Sequence, residues 1–287
     1  MKKKFFKMHG IGNDFIIMDF YSEQIPDSFD FNQLAKELCQ RHFGIGGDGL
    51  ILVLPSAIHD LRMRIFNFDG SEPQMCGNGI RCFARYAYEK GLIQEKIFSV
   101  ETLAGKIIPE LIFNQQDSSI IEGVKVNMGK PRLSRKEIPM AGQPDERVIN
   151  EDLILNSGKR FNMTCVSMGN PHCVIFIDDV QSFPVTEIGP EIENHDLFPE
   201  KTNVEFIEIL NENEIKFRVW ERGVGETMAC GTGASAAVVA GVLNKLIKPD
   251  TVVHLNGGNL RIQWNDDGFV YMTGPAETVF YGYIDIK

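Results

Sequence analysis

The sequence has no apolar run long enough to cross a bilayer. Its longest largely apolar stretch, Ala234 to Leu243, falls well short of the ~20 residues a spanning helix needs. It has no basic stripe: 29 Lys and Arg stand against 39 Asp and Glu, a formal charge of −10, which argues against a nucleic-acid partner. It has no Cys-x-x-Cys pair, so no zinc or other metal site is expected. The basic start Met1-Lys2-Lys3-Lys4 is followed only by Phe5, Phe6 and Met8, too short an apolar run for an export signal. Without export, the six cysteines are not expected to form disulfides. These absences point to a soluble, cytoplasmic protein that works on neither membrane nor nucleic acid.

What the chain does have is a repeat. Cys76-Gly77-Asn78-Gly79 and Cys230-Gly231-Thr232-Gly233 each place a cysteine and a Gly-polar-Gly turn before a helical run. The cysteines are 154 residues apart, and at the same offset Arg64 matches Arg218 and Asn67 matches Glu221. Gly12-Asn13 and Gly169-Asn170 match at nearly that offset. The pattern reads as an old duplication with one cysteine per half at a helix start. Peptide N–H groups point out of a helix start, where the dipole favours negative charge. A thiol there should ionise more readily than a free one, whose pKa is near ~8.5. Two such thiols suggest an acid and a base acting on opposite faces of one small molecule. Cys39, Cys82, Cys165 and Cys173 read instead as small core residues, the usual fate of free cysteine.

The periodicity is strand-rich with few helices. It predicts helices over Asn32–Phe43, Asn78–Lys90 and Gly233–Leu246, the second closed by Gly91. Strands are expected around Phe15–Met18, Leu50–Leu54, Leu61–Phe68, Ile97–Glu101, Lys106–Phe113 and Ile120–Val126. A charged, proline-containing stretch, Pro131–Arg147, reads as a boundary or long loop. Strands follow near Asn162–Met168, Cys173–Ile177, Val204–Ile209, Ile215–Trp220, Val252–Leu255, Leu260–Trp264, Val270–Thr273 and Val279–Ile284. No charge occurs from Ala234 to Asn244, so the last helix should be surrounded on all sides. One helix enclosed by many strands implies a mostly antiparallel sheet rolled around it, twice over. The expected domains are 1–123 with 276–287, carrying Cys76, and 124–275, carrying Cys230.

Glycines at a helix start often serve only close packing, so the duplication of the cysteine motif is the specific signal. Asn13, Asn67, Asn170 and Asn203 lie beside strand ends or glycines, where a lone Asn is ordinarily a turn residue. Glu221-Arg222 would ordinarily be a surface ion pair of little worth. Its register with Asn67 puts it at the edge of the repeated motif, where an arginine can bind a carboxylate bidentately. His172 follows Asn170 in a repeat-matched loop.

These residues resemble the diaminopimelate epimerase family along nearly the whole chain. The segments are His9–Phe15, Arg41–Gly46, Asn67–Ser71, Cys76–Cys82, Gly169–His172, Thr202–Glu205, Trp220–Gly223 and Ala229–Gly233. The resemblance implies an α/β fold of two pseudo-symmetric domains with the active site in the interdomain cleft. It implies interconversion of LL- and meso-2,6-diaminopimelate, feeding lysine and peptidoglycan synthesis, with no pyridoxal phosphate, metal or other cofactor. Cys76 and Cys230 resemble the two catalytic thiols, with Cys76 assigned by analogy as base toward the LL substrate and Cys230 toward the meso form. Gly77-Asn78 and Gly231-Thr232 resemble the donors to the α-carboxylate. Asn13, Asn67, Asn170, Asn203, Glu221 and Arg222 resemble the binders of the distal centre, and His172 and Glu221 are placed to tune the thiols. The expected partner is the substrate alone, and a homodimer is the expected assembly. Some relatives carry Gln where this chain has Gly49, within a loop expected to close over the substrate.

Three other readings stay open at this point, one of them a binding protein without catalysis, which would need no cysteine at both helix starts. A proline or hydroxyproline racemase would also use two cysteines, without the Asn-rich distal clamp and with His where Asn78 stands. A thiol redox protein would use paired cysteines as a disulfide, leaving the matched asparagines unexplained.

Overall fold

A computed structural model describes residues 2–23 and 29–286. Met1 and Lys287, the outer limits of the expected first domain, lie outside the described residues. The chain divides into two compact units, Met1–Val126 with Thr273–Lys287, and Asn127–Met272.

In the first unit the strands are β1 (Lys2–Gly10), β2 (Asn13–Asp19), β3 (Gly49–Leu54), β4 (Leu61–Asn67), β5 (Val100–Thr102) and β6 (Gly105–Ile107), with the last strand of the chain, β18 (Glu277–Asp285). They form one sheet in the order β18-β1-β2-β3-β4-β5-β6. β7 (Glu110–Phe113) and β8 (Ile121–Asn127) form an antiparallel hairpin. Helix α1 (Phe31–Leu38) links β2 to its parallel neighbour β3. Helix α2 (Gly77–Glu89) follows β4 and packs on β1 to β4.

The second unit repeats this plan. Its strands are β9 (Glu151–Ile154), β10 (Arg160–Ser167), β11 (Pro171–Phe176), β12 (Asn203–Asn211), β13 (Glu214–Glu221), β14 (Gly225–Thr227), β15 (Asp250–Leu255), β16 (Gly258–Trp264) and β17 (Val270–Gly274). They run in the order β17-β16-β15-β13-β12-β11-β10-β9, with β14 on β13. Helix α3 (Val185–Glu193) links β11 to its parallel neighbour β12, and α4 (Gly231–Leu243) follows β13 and packs on β10, β11, β12 and β16. The registers agree as well: Phe15 faces Gly49 and Ile51 faces Ile65, as His172 faces Asn203 and Glu205 faces Val219.

The fold class is therefore as the sequence implied: two α/β units, each a mostly antiparallel sheet around one central helix. Helix α4 is buried from Gly233 to Gly241 on every side, as its lack of charge requires. Several elements differ from expectation: strands β1, β9 and β14 were not expected, the stretch Lys106–Phe113 is divided between β6 and β7, and two helices differ. Helix α1 stops at Leu38 and not at Phe43, because Gly46 and Gly47 turn back and donate to the carbonyls of Leu38 and Cys39. A longer helix would forfeit this turn, which carries Arg41 to Asp14 and Asp48. Helix α3 was not expected at all, since Gly189-Pro190 reads as a break. Tertiary packing overrides it, with Gly189 lying so close to Trp220 that a Cβ would stand 2.5 Å from the ring.

Candidate active site

Each repeated cysteine is the N-cap of its central helix. Cys76 has φ −138° and ψ 121°, Cys230 has φ −131° and ψ 110°, and each Sγ accepts an N–H from the residue three positions on. That N–H comes from Gly79 in the first unit and Gly233 in the second, both at 3.4 Å. The first N–H groups of a helix have no intrahelical acceptor. Those of Gly77 and Asn78, and of Gly231 and Thr232, are thus available to a negative group beside each thiol.

In the first unit the structure brings Asn13, Cys76, Gly77 and Asn78 together. Asn78 Nδ2 donates to Asn13 Oδ1 at 3.1 Å, and Cys76 Sγ lies 3.9 Å from the same oxygen. Asn13 Nδ2 donates to Asp48 Oδ2 at 2.7 Å. Asp48 in turn is bound by Arg41, which also pairs with Asp14. Burial pulls the Asp14 carboxyl up, but Arg41 and Lys7 outweigh it and hold the group at about 2. A hollow of about 320 Å³ beside Asn13 is lined by Lys7, His9, Gly12, Asp14, Arg41 and Phe280, among others. Asn67 sits at the end of β4 with its amide on Ser71 Oγ at 2.9 Å. The buried guanidinium of Arg81, one turn into α2, interacts with the Cys76 thiol.

In the second unit the same geometry returns around Cys230, Gly231, Thr232, Asn170 and His172. Asn170 Nδ2 donates to Thr232 Oγ1 at 3.3 Å, joining the positions that correspond to Asn13 and Asn78 with the donor and acceptor exchanged. Thr232 Oγ1 is 3.5 Å from Cys230 Sγ, and His172 Nε2 is 3.1 Å from Asn170 Oδ1. Glu221, at the end of β13, accepts from Thr227 Oγ1 at 2.5 Å. The amide of Asn203 is spent on backbone: Nδ2 donates to Pro171 O at 2.8 Å and Oδ1 accepts from Arg222 N–H at 3.0 Å. Asn203 thus fixes the turn that carries Arg222, whose exposed guanidinium reaches Glu200 O.

The expectation that a helix start lowers the thiol pKa fails for Cys230. Burial, then the negative charges of Glu221 and Glu205, push this thiol well above its ordinary value, outweighing the Thr232 and Gly233 donors. Cys39 and Cys82 are likewise pushed up by burial, each to about 12. The expectation for Gly49 fails too. It is not in a loop but is the buried first residue of β3, paired to Phe15 and Asn67, and a Cβ there would stand 2.6 Å from Phe66 O. Sequence reasoning also passed over Glu205, whose carboxylate lies under Gly233, and the Arg41–Asp14–Asp48 cluster. A lone acid in the apolar run Val204–Ile207 was the available signal for Glu205.

Among the described residues, no group of three or more His, Cys, Asp or Glu side chains is placed to hold a metal ion. Among the described residues, no helix is long and apolar enough to cross a membrane.

The family profile described as diaminopimelate epimerase matches residues 5–134 and 164–279. The diaminopimelate epimerase of Moorella thermoacetica is 56% identical over 279 residues, 97% of this chain and 98% of its own. That of Halothermothrix orenii is 53% identical over 289 residues, 100% of this chain and 99% of its own. Among solved structures, a Bacillus anthracis phenazine biosynthesis protein of the PhzF family superposes with a TM-score of 0.71 at 17% identity, covering 100% of both chains. A probable proline racemase from Agrobacterium radiobacter gives 0.70 at 14%, covering 99% of this chain and 93% of that one. The two solved structures share the fold. With both cysteine motifs inside the matched residues, this chain belongs to the diaminopimelate epimerase family.

Proposed function

We propose that this protein epimerises LL-2,6-diaminopimelate to meso-2,6-diaminopimelate, with Cys76 and Cys230 as the paired base and acid. The carrying observation is one thiol capping each of two equivalent helices in a chain of this family. One thiolate removes the Cα proton and the other thiol delivers a proton to the opposite face, so their protonation states exchange with each turnover. Proton transfer by a positioned base contributes ~10²–10⁴-fold. The N–H groups of Gly77, Asn78, Gly231 and Thr232 offset the negative charge that grows on the α-carboxylate, the larger electrostatic contribution. Asn13, Asn67, Asn170, Glu221 and Arg222 recognise the distal amino-acid centre, and Asn203 holds the turn that carries Arg222. A substrate without that centre leaves their polar groups unpaired, a basis for strong rejection.

The test is Cα–H exchange. In deuterium oxide, LL-diaminopimelate should acquire a solvent deuteron at one Cα as the meso form appears. No exchange would overturn the reading, and exchange with L-proline instead would favour a ring-amino-acid racemase. The relatives above half identity are diaminopimelate epimerases, which supports the first substrate. A redox protein would show exchange with neither.

Two further features belong to this reading. The six cysteines are free among the described residues, which suits a reducing cytoplasm. A homodimer is supported by β18, an edge strand exposing Val279, Phe280, Tyr281 and Tyr283, an apolar row that solitary edges seldom leave uncovered. Sedimentation equilibrium would test it.

A further inference from the structure

The second unit holds an ion pair that the repeat does not require. His172 Nδ1 is 2.6 Å from Glu205 Oε1, with both side chains fully buried. Glu205 Oε2 has no hydrogen-bond partner among the described residues. At the offset that relates the two cysteines, Glu205 corresponds to Ile51. At the offset relating Asn13 to Asn170, His172 corresponds to Phe15. The sheet registers place both correspondences identically, so one copy of the fold fills this place with two apolar side chains. A buried ion pair is often no more stabilising than apolar residues of similar size. Stability of the fold therefore gives no reason for the charges.

The reason lies along the hydrogen bonds. From Glu205 the chain runs to His172, through Nε2 to Asn170 Oδ1, through Nδ2 to Thr232 Oγ1, and ends on Cys230 Sγ. Once Asn170 donates to it, Thr232 Oγ1 is fixed in place while its own hydrogen stays free to rotate. It can donate to a thiolate and accept from a thiol, which suits a sulfur that alternates between the two. Glu205 also packs beneath the turn that caps Cys230: a Cβ on Gly233 would stand 2.8 Å from Glu205 Oε1 and 3.3 Å from Cys230 Sγ.

We infer that Glu205, through His172, Asn170 and Thr232, is a positioning residue that holds Cys230 in its thiol form in the free enzyme. This rests on the thiol chemistry proposed above. The groups facing Cys230 are Glu221 from β13, Glu205 from β12 and the Thr232 hydroxyl and Gly233 N–H of α4. His172 of β11 faces Glu205. Removing the buried carboxylate withdraws negative charge from the sulfur and favours thiolate.

The experiment is alkylation of Cys230 by iodoacetamide as a function of pH, in the full chain carrying Cys76→Ala, with the modified peptide identified by mass. Two variants are compared with that parent: the paired swap His172→Phe with Glu205→Ile, which installs the pair of the first unit, and Glu205→Gln, nearly isosteric and still able to accept from His172. Glu205→Gln should move the profile to lower pH by about one unit, so that at pH 7.5 alkylation is about tenfold faster, and the swap, which takes away the imidazole together with the carboxylate, should move it in the same direction by less. The swap should retain the parent's urea midpoint. A profile unmoved in both variants, or moved to higher pH, would overturn the inference. If the swap fails to fold, Glu205→Gln alone decides. Deuterium exchange by the unaltered chain tests the epimerase reading separately. Failure there leaves the alkylation result standing, and failure of the alkylation test leaves the exchange intact.

Discussion

Arg218 grips Glu226 through two parallel bonds, Nε to Oε1 at 2.7 Å and Nη2 to Oε2 at 3.1 Å. The same pair, Arg64 with Glu72, recurs 154 residues earlier at 2.7 and 2.8 Å. The second copy has taken on more: Arg218 Nη1 also donates to the carbonyls of Val180, Gln181 and Phe183 and so ties the chain ahead of α3 to β13. Arg218→Ala should cost about 3 kcal/mol, because three backbone carbonyls lose their donor together with the carboxylate. Arg64→Ala should cost about 1 kcal/mol, the value of a partly exposed pair. Urea melts of the two variants measure the difference, and equal losses would refute it.

Cys76→Ala and Cys230→Ala should each reduce epimerisation by at least ~10² while leaving near-ultraviolet circular dichroism and melting temperature close to the parent. Each Sγ accepts its helix-turn N–H over a long 3.4 Å, so little stability goes with it. A variant of either kind turning over at near the parental rate would sink the two-thiol mechanism.

Arg222 should act on binding more than on chemistry. Its guanidinium is exposed and held to Glu200 O, and on the proposed reading it binds a carboxylate in ground and transition states alike. Arg222→Lys should raise KM for diaminopimelate about tenfold or more with a smaller change in kcat, since a point charge cannot reproduce the fork. An unaltered KM would remove Arg222 from substrate recognition.

Gly49→Gln, which on family comparison would have lengthened a contact loop, should instead destabilise the first unit. Its Cβ would meet Phe66 O at 2.6 Å, and overpacking of a tight interior costs ~1–3 kcal/mol. The urea midpoint should fall and KM should rise; a midpoint equal to the parent's would mean that the strands part easily here.

Asp14 contributes stability through its depressed pKa, so the contribution is full above about 4 and lost as pH falls through about 2. The difference in unfolding free energy between the parent and Asp14→Asn should be roughly 2 kcal/mol at pH 7. It should shrink toward zero at pH 2. A difference that stays constant over this range would show that the carboxylate charge is irrelevant to the fold.

Much of the architecture was legible because the chain states it twice. The duplicated cysteine motif located both central helices, and the uncharged run Ala234–Asn244 announced the buried one. Helix α3, which contains Pro190, went unread, and its counterpart α1 was read but carried on to Phe43, past its end at Leu38. The local geometry of the candidate site was legible where it follows the repeat, at Cys76, Cys230, Asn13 and Asn170. It was illegible at Glu205, because burial of a charge is a property of the neighbours that surround it. The thiol environment was misjudged for the same reason: a helix start is a local feature, whereas Glu221 and Glu205 approach from other strands.

The floor beneath the two helices differs in kind. Under Gly79 the nearest groups are the methyl ends of Ile65 and Ile51; under Gly233 they are the Glu205 carboxylate and the Phe217 ring. The same glycine is thus kept in one copy by hydrocarbon and in the other by an anion. For a reversible reaction, the ratio of kcat/KM in the two directions is fixed by the overall equilibrium and cannot register this inequality. Unlike floors can show themselves only in how each direction divides that ratio between turnover and saturation. The LL and meso substrates should therefore saturate the enzyme at different concentrations and respond differently to pH, an imprint of divergence inside a molecule built from two copies of one plan.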